Sequence, residues 1–304
     1  MVFHMEIDAL EVRGLDRATV LALSRRSDAR GLLQLGLHLG LLGVTGSAIA
    51  LSPGWWRAPA IVLHGIVLDF LFCALHESVH RTAFASRRLN DTVAWITGAL
   101  LLLPADYFRL FHFAHHRFTQ DPARDPELIT PKPTSLAAYL WFASGLPNWR
   151  ARLKGTLRHA WTGRVREPFI PPAQHRAVVR EARLVWALYL GLLAGALALG
   201  RVDALLDYWI LPALAGQPLL RLFLHAEHIG CAHDPDMFAN TRTTETNALV
   251  RRLTWDMPFH VEHHAYPSVP FHALARLHPL IRDRIKVRAP GYLALHRAFL
   301  RDLR

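Results

Sequence analysis

The chain has 304 residues, of which 52% are hydrophobic, yet 35 Lys and Arg against 24 Asp and Glu give it a formal net charge of +11. So high an apolar content excludes an intrinsically disordered chain, and the two cysteines exclude a disulfide scaffold and a four-cysteine zinc module. The 19 histidines are the third unusual feature of the composition.

Four apolar stretches are long enough to cross a hydrocarbon core of about 30 Å as helices. They form two close pairs and cover residues 32–51, 58–75, 182–200 and 206–224. Each tight hairpin returns the chain to the side from which it came. Residues 1–31, 76–181 and 225–304 should therefore share one side of the membrane, and the whole chain, 1–304, is predicted to be a single membrane domain.

Basic residues provide a separate test of this topology, because Lys and Arg are enriched in the cytoplasmic flanks of membrane helices. Within about twenty residues of the predicted helix ends, thirteen arginines lie on the shared side and only Arg57 and Arg201 on the other. Both termini are therefore predicted to be cytoplasmic, and the excess of arginine over lysine favours a bacterial inner membrane. A nucleic-acid partner explains the charge less well, since the basic residues flank apolar spans.

Two further apolar stretches, residues 93–104 and 136–146, reach only about 18 Å as helices and are too short to span. They are predicted to be interfacial or buried helices, with Asn90 or Asp91 as the cap of the first. The predicted fold is an all-α integral membrane protein. Four transmembrane helices form two hairpins, and a cytoplasmic helical cap holds a histidine-rich site for two metals.

Ten of the histidines fall into four clusters, each following the end of a hydrophobic element on the cytoplasmic side. The clusters are His76 and His80; His112, His115 and His116; His225 and His228; and His260, His263 and His264. Spacings of three and four residues place imidazoles on one helix face, where they can bind one metal. One cluster alone is weak evidence, since paired histidines can also face solvent. Ten imidazoles exceed the needs of one zinc, so two metal ions fit the count better, and Fe, Cu, Ni and Zn all suit imidazole.

Three of the clusters resemble the histidine boxes of the membrane fatty acid desaturase family: His76-x3-His80, His112-x2-His115-His116 and His260-x2-His263-His264. Residues 240–244, 255–267 and 269–274 strengthen the resemblance, which runs from about His76 to His278. It implies a non-haem centre of two Fe ions that uses O2 as co-substrate to oxidise an unactivated C–H bond. His225 and His228 match the additional ligand position before the last box, so all ten clustered histidines are predicted metal ligands.

Acidic residues inside the boxes, Glu77, Glu227 and Glu262, are predicted to orient the histidines, with ion pairs to arginines as the alternative. Asp69 lies within the second span, where a carboxylate is costly. It is predicted either to make a polar contact near the substrate tunnel or to form an interhelical hydrogen bond. No catalytic residue is predicted beyond the metal ligands.

The predicted reaction is O2-dependent desaturation of a fatty acyl chain in a lipid or acyl thioester. A hydroxylase or ketolase on the same scaffold, acting on a lipid, carotenoid or small molecule, is the alternative. A histidine-rich metal transporter is an alternative of another class, but it should place its ligands near the bilayer midplane. A zinc-dependent hydrolase would leave most of the ten histidines without a role. The sequence has no recognisable iron–sulfur, flavin, nicotinamide or haem motif, so an external electron donor such as a ferredoxin is expected.

Overall fold

The computed structural model describes residues 14–303, and these residues form helices joined by short connections. The α-helices are α1 (Arg17–Leu23), α2 (Asp28–Leu51), α3 (Arg57–Asp69), α4 (Leu71–His80), α5 (Arg87–Leu100), α6 (Ala105–Phe118), α7 (Leu136–Ala143), α8 (Leu146–Leu157), α9 (His175–Ala198), α10 (Val202–Leu205), α11 (Leu211–His228), α12 (Met237–Asn240), α13 (Ala248–Leu253), α14 (His260–Ala265), α15 (Phe271–Ile281) and α16 (Tyr292–Asp302). The predicted all-α class is confirmed for this part of the chain.

The remaining elements are short. The 3-10 helices are Gly54–Trp56, Pro126–Ile129, Pro172–Gln174 and Arg282–Arg284, and the π-helical segments are Arg158–Thr162 and Leu206–Ile210. Two strands, β1 (Thr243–Thr244) and β2 (Arg288–Ala289), pair in parallel with Thr243 opposite Arg288. This small sheet links the chain just before α13 to the chain just before α16.

Three helices among the described residues are long and apolar enough to cross a membrane: Asp28–Leu51, Gly54–His80 and Pro172–Ala198. They contain three of the predicted spans, or nearly all of each. The helices α5 and α6 pass the same test only as a pair, and the pair is bent by 100° at its break. The described part of the chain therefore holds three candidate spans, or up to four if the bent pair crosses the membrane.

The fourth predicted span, residues 206–224, occupies a π-helical segment and most of α11, and it is not among the candidate spans. The reason is composition, since α11 carries Gln217 and Arg221 among its apolar residues. The helix still packs closely within the bundle. A Cβ added to Gly216 would lie 2.1 Å from the carbonyl oxygen of Gly65, so α3 and α11 approach each other at a distance that only glycine permits.

The helices that lead to the histidine clusters begin at defined caps. The hydroxyl of Ser86 accepts a hydrogen bond of 3.3 Å from the N–H of Leu89, so Ser86 caps α5 and the predicted cap at Asn90 or Asp91 is wrong. The helix simply begins earlier than its apolar residues do. At α6 the Glu181 carboxylate accepts hydrogen bonds from the N–H groups of Ala105 (2.9 Å) and Asp106 (2.7 Å), which ties the start of α6 to α9.

Candidate metal centre

Five histidines from three helices direct one nitrogen each towards a common point. His76 and His80 lie one turn apart on α4, His112 and His116 lie one turn apart on α6, and His263 comes from α14. Their ligand nitrogens all lie within 4.8 Å of one another. Neighbouring Nε2 atoms are 2.7 Å apart between His80 and His112 and 3.1 Å apart between His116 and His263. We call these five residues the first histidine group.

A second histidine group lies beside the first. Ligand nitrogens of His115, His228 and His264 lie within 4.8 Å of one another. The Nε2 of His260 is 3.2 Å from that of His228 and 3.1 Å from that of His264, so His260 is the fourth member. The rings of His116 and His264 stack with centroids 4.1 Å apart, which makes the two groups adjoin. The structure thus brings nine of the ten predicted ligands together.

Carboxylates lie close to the Nδ1 atoms of two rings of the second group, as they do where histidine binds a metal. The Nδ1 of His115 lies 3.0 Å from Oδ1 of Asp125, and the Nδ1 of His260 lies 3.4 Å from Oε1 of Glu227. Because an ionised carboxylate only accepts hydrogen bonds, the Nδ1 of His115 must carry the hydrogen, whereas Nδ1 of His260 and Oε1 of Glu227 have no hydrogen-bond partner among the described residues. In the neutral ring of His115 the Nε2 lone pair is then free and points towards His228 in the second group, which is the arrangement in which histidine binds a metal.

Burial favours the neutral form, which binds metal, in eight of the nine imidazoles; in His115 the carboxylates of Glu127 and Asp125 outweigh burial and raise the pKa. Seven of the nine are buried, and His80 and His116 are half-buried. Burial lowers the pKa of His260, His263 and His264 well below that of a free imidazole, and the neighbouring histidines lower it further. The three rings are therefore neutral at physiological pH, which metal ligation requires.

A strained turn directs α14 into the site. Trp255 and Asp256 have φ angles of 52° and 55°, in the left-handed region that residues other than glycine rarely adopt. Such a residue costs about 1–3 kcal/mol, and surrounding packing must hold it in place. Trp255 is fully buried, and its Nε1 donates a hydrogen bond of 3.4 Å to Nδ1 of His38. The histidine that begins α14 follows four residues after this turn.

His225 is the predicted ligand that the structure leaves outside both groups. Its ring centroid is 4.8 Å from that of Phe142 and 6.0 Å from that of His296, in a pocket of rings rather than in the metal centre. Neither of its ring nitrogens has a hydrogen-bond partner among the described residues. Ligation by His225 therefore remains a prediction that this geometry does not support.

The other acidic box residues differ in what they contact. The Oε1 of Glu77 lies 4.0 Å from Nδ1 of His263, behind the first histidine group. Glu262 instead accepts a hydrogen bond of 2.6 Å from Oγ1 of Thr243 and pairs with His278, a residue that no box spacing identifies. Glu262 thus ties α14 to β1 and α15 rather than orienting a ligand.

Sequence reasoning missed two residues that orient the second group. Asp125 holds His115, and the carbonyl oxygen of Asn240 lies 3.1 Å from Nδ1 of His228. Asp125 follows its histidine by ten residues, across a turn and outside any helical spacing, so no periodic signal indicates it. Asn240 lies in residues 240–244, which the family resemblance includes, and this resemblance was the sequence signal that could have indicated Asn240.

A cavity of about 570 Å³ opens beside the second group and reaches His228. Such a volume is typical of small-ligand sites. Its aromatic lining includes Tyr107, Phe108, Phe111, Phe142 and Phe169. Asp69 does not line it; its Oδ2 instead accepts a hydrogen bond of 3.3 Å from Nε2 of Gln217, which is the interhelical alternative. Because the cavity reaches His228, we take the cavity as the candidate substrate site.

Three relatives of this chain are each named as a desaturase. A dihydrorhizobitoxine desaturase of Bradyrhizobium elkanii is 25% identical over 259 residues, which cover 80% of this chain and 71% of that protein. An sn-1 oleoyl-lipid 12-desaturase of Picosynechococcus sp. is 24% identical over 263 residues, covering 77% of this chain and 72% of that protein. A delta(12) fatty acid desaturase of Mortierella alpina is 32% identical over 83 residues, which cover 27% of this chain and 19% of that protein.

The family model for fatty acid desaturase matches residues 53–296. This match spans well over half of the chain and includes every member of both histidine groups. The chain is therefore an oxidoreductase that belongs to the fatty acid desaturase family.

Proposed function

We propose that the protein is a membrane desaturase that holds two Fe ions and uses O2 to remove two hydrogens from a saturated carbon chain, predicted to be a fatty acyl chain. The adjoining histidine groups, with their Nε2 lone pairs directed inwards, are the observation that supports this most. Bound iron would supply the oxidising power that an unactivated C–H bond requires and that side chains lack. One O2, two electrons, two protons and two substrate hydrogens give one double bond and two waters.

The chain's own residues would hold and orient the irons. The first histidine group would bind one ion and the second histidine group the other. Asp125 accepts the Nδ1 hydrogen of His115 and so fixes the tautomer and direction of that ring, while Glu227 lies 3.4 Å from Nδ1 of His260. The aromatic walls of the cavity would exclude water from the substrate carbon.

We infer that the chain crosses a bacterial inner membrane four times, with residues 206–224 as the last crossing and with both termini and the helical cap in the cytoplasm. The arginine-rich flanks support this orientation. The histidine ligands of α4 and α11 lie at the final turns of those helices, on the same side. A transporter would instead be expected to place its ligands near the bilayer midplane.

The electrons would come from a separate carrier such as a ferredoxin. The predicted cytoplasmic face is rich in arginine, and an acidic carrier would be attracted to it over a long range. The relatives do not point to one substrate, because one is named for dihydrorhizobitoxine and others for an oleoyl lipid or a fatty acid.

Mass spectrometry of the products in an expressing bacterial host tests the reaction. Wild type should yield a product lighter than its precursor by two hydrogens, and His264→Ala should not. His175→Ala is the matched control, because within the described part of the chain His175 bonds only the carbonyl oxygen of Ile170 and lies outside both groups. A product heavier by one oxygen would assign a hydroxylase instead. An unchanged product level in His264→Ala would contradict the ligand assignment.

A further inference from the structure

The cavity beside the metal centre is lined by two arginines that have no ion pair within the described chain. Arg152 of α8 and Arg221 of α11 both line it. Among the described residues each guanidinium makes one hydrogen bond: Nη1 of Arg152 donates to the carbonyl oxygen of Leu101 at 2.8 Å, and Nη1 of Arg221 donates to Oδ1 of Asn148 at 3.4 Å. The Nε of each is buried without a partner. Most of their N–H donors are therefore unused.

The carboxylates that interact electrostatically with these arginines are bound elsewhere. Asp69 accepts its hydrogen bond from Gln217. Glu127 lies 3.8 Å from Nδ1 of His115, and Glu227 faces the second histidine group. Among the described residues, no carboxylate oxygen lies within 4.0 Å of either guanidinium. The chain thus leaves two neighbouring positive charges on the cavity wall without a direct counterion.

A third arginine of the same cavity, unlike these two, has an ion-pair partner. Arg158 also lines it, and Arg158 pairs with the carboxylate of Glu167. The cavity wall therefore contains a paired arginine as well as the two unpaired arginines. An apolar chain end placed against an unpaired guanidinium would remove its remaining water and give no hydrogen bond in return, which is costly. A carboxylate would instead accept from the guanidinium in a bidentate geometry.

We propose that the substrate carries a free carboxylate, which Arg152 and Arg221 bind at the end of the cavity away from the metal centre. This rests on the proposed function above, since it concerns the substrate of the same site. Arg221 and His228 are seven residues apart on α11, on nearly the same face and about 10 Å apart along the axis. The substrate is then a short- or medium-chain acid, and an esterified lipid, whose carboxyl group is blocked, is excluded.

Binding tests this without turnover. Purified wild-type protein in detergent is titrated with short- and medium-chain saturated monocarboxylic acids, and with the methyl ester and the alcohol of each, while the thermal midpoint is followed. At least one acid should bind tenfold or more tightly than its ester and alcohol, because a hydrogen-bonded charge is lost in both analogues. Acid, ester and alcohol binding alike, or no acid binding, would overturn the proposal.

Variants identify the binding residues. Arg152→Gln and Arg221→Gln should each weaken acid binding about tenfold or more and leave the ester and alcohol unaffected. Arg150→Gln is the matched control, since Arg150 is exposed on the same helix and does not line the cavity. Acid binding retained in both glutamine variants would also overturn the proposal. The wild-type comparison of acid with ester remains decisive if a variant does not fold.

The binding result is separate from the reaction itself. Protein that binds acids but yields no product lighter by two hydrogens retains the carboxylate site and refutes the proposed desaturation. Protein that desaturates esterified lipid chains and binds no acid retains the reaction and refutes the carboxylate site.

Discussion

Replacing Asp125 by Asn should weaken metal binding by the second histidine group alone. The carboxylate of Asp125 lies 3.0 Å from Nδ1 of His115 and accepts hydrogen bonds from the N–H groups of Gln120 (2.8 Å) and Glu127 (2.9 Å). Asparagine keeps one oxygen but turns an NH2 group towards one of these donors. Loss of such a ligand-orienting partner costs about 10- to 100-fold in metal affinity, or about 1.4–2.7 kcal/mol.

The assay is titration of the metal-free protein with Fe²⁺ under anaerobic conditions against a competing chelator. Asp125→Asn should show one site of wild-type affinity and one weakened site. Asp121→Asn is the control, because Asp121 lies in the same turn but bonds Arg124 and the N–H of Ala123 instead of a histidine. Two sites of wild-type affinity in Asp125→Asn would refute the claim that this carboxylate orients a ligand.

Two further substitutions test the packing and the ligand set. Gly216→Ala should destabilise the protein by about 1–3 kcal/mol in thermal unfolding, because the new Cβ would meet the carbonyl oxygen of Gly65, whereas Gly191→Ala has open space and should be near neutral. His225→Ala should leave the iron content unchanged while His228→Ala lowers it, and equal loss in both would restore His225 as a ligand.

The clusters within each helix and their common metal site could be predicted, but which histidines meet across helices could not. Spacing of four residues places His76 beside His80 because both lie on one helix face. Nothing in the sequence places His263 against His76, 187 residues away, since that contact depends on how α14 packs against α4. The family resemblance predicted that both histidines bind metal but not that they meet, and the geometry supplied this contact and separated His225 from the rest.

The last predicted span shows what apolar content alone leaves out. Residues 206–224 are mostly hydrophobic, yet Gln217 and Arg221 lie among them and face polar partners inside the protein. The mean hydropathy of the whole stretch does not reveal these two residues. In the structure Arg221 lines the cavity and Gln217 bonds Asp69. The polar residues of the span therefore indicate where the site lies, and an average over the span hides them.

The iron content of the purified protein tests the central claim most directly. After anaerobic reconstitution, elemental analysis should give two irons for each chain. One zinc for each chain, or no iron, would contradict the account.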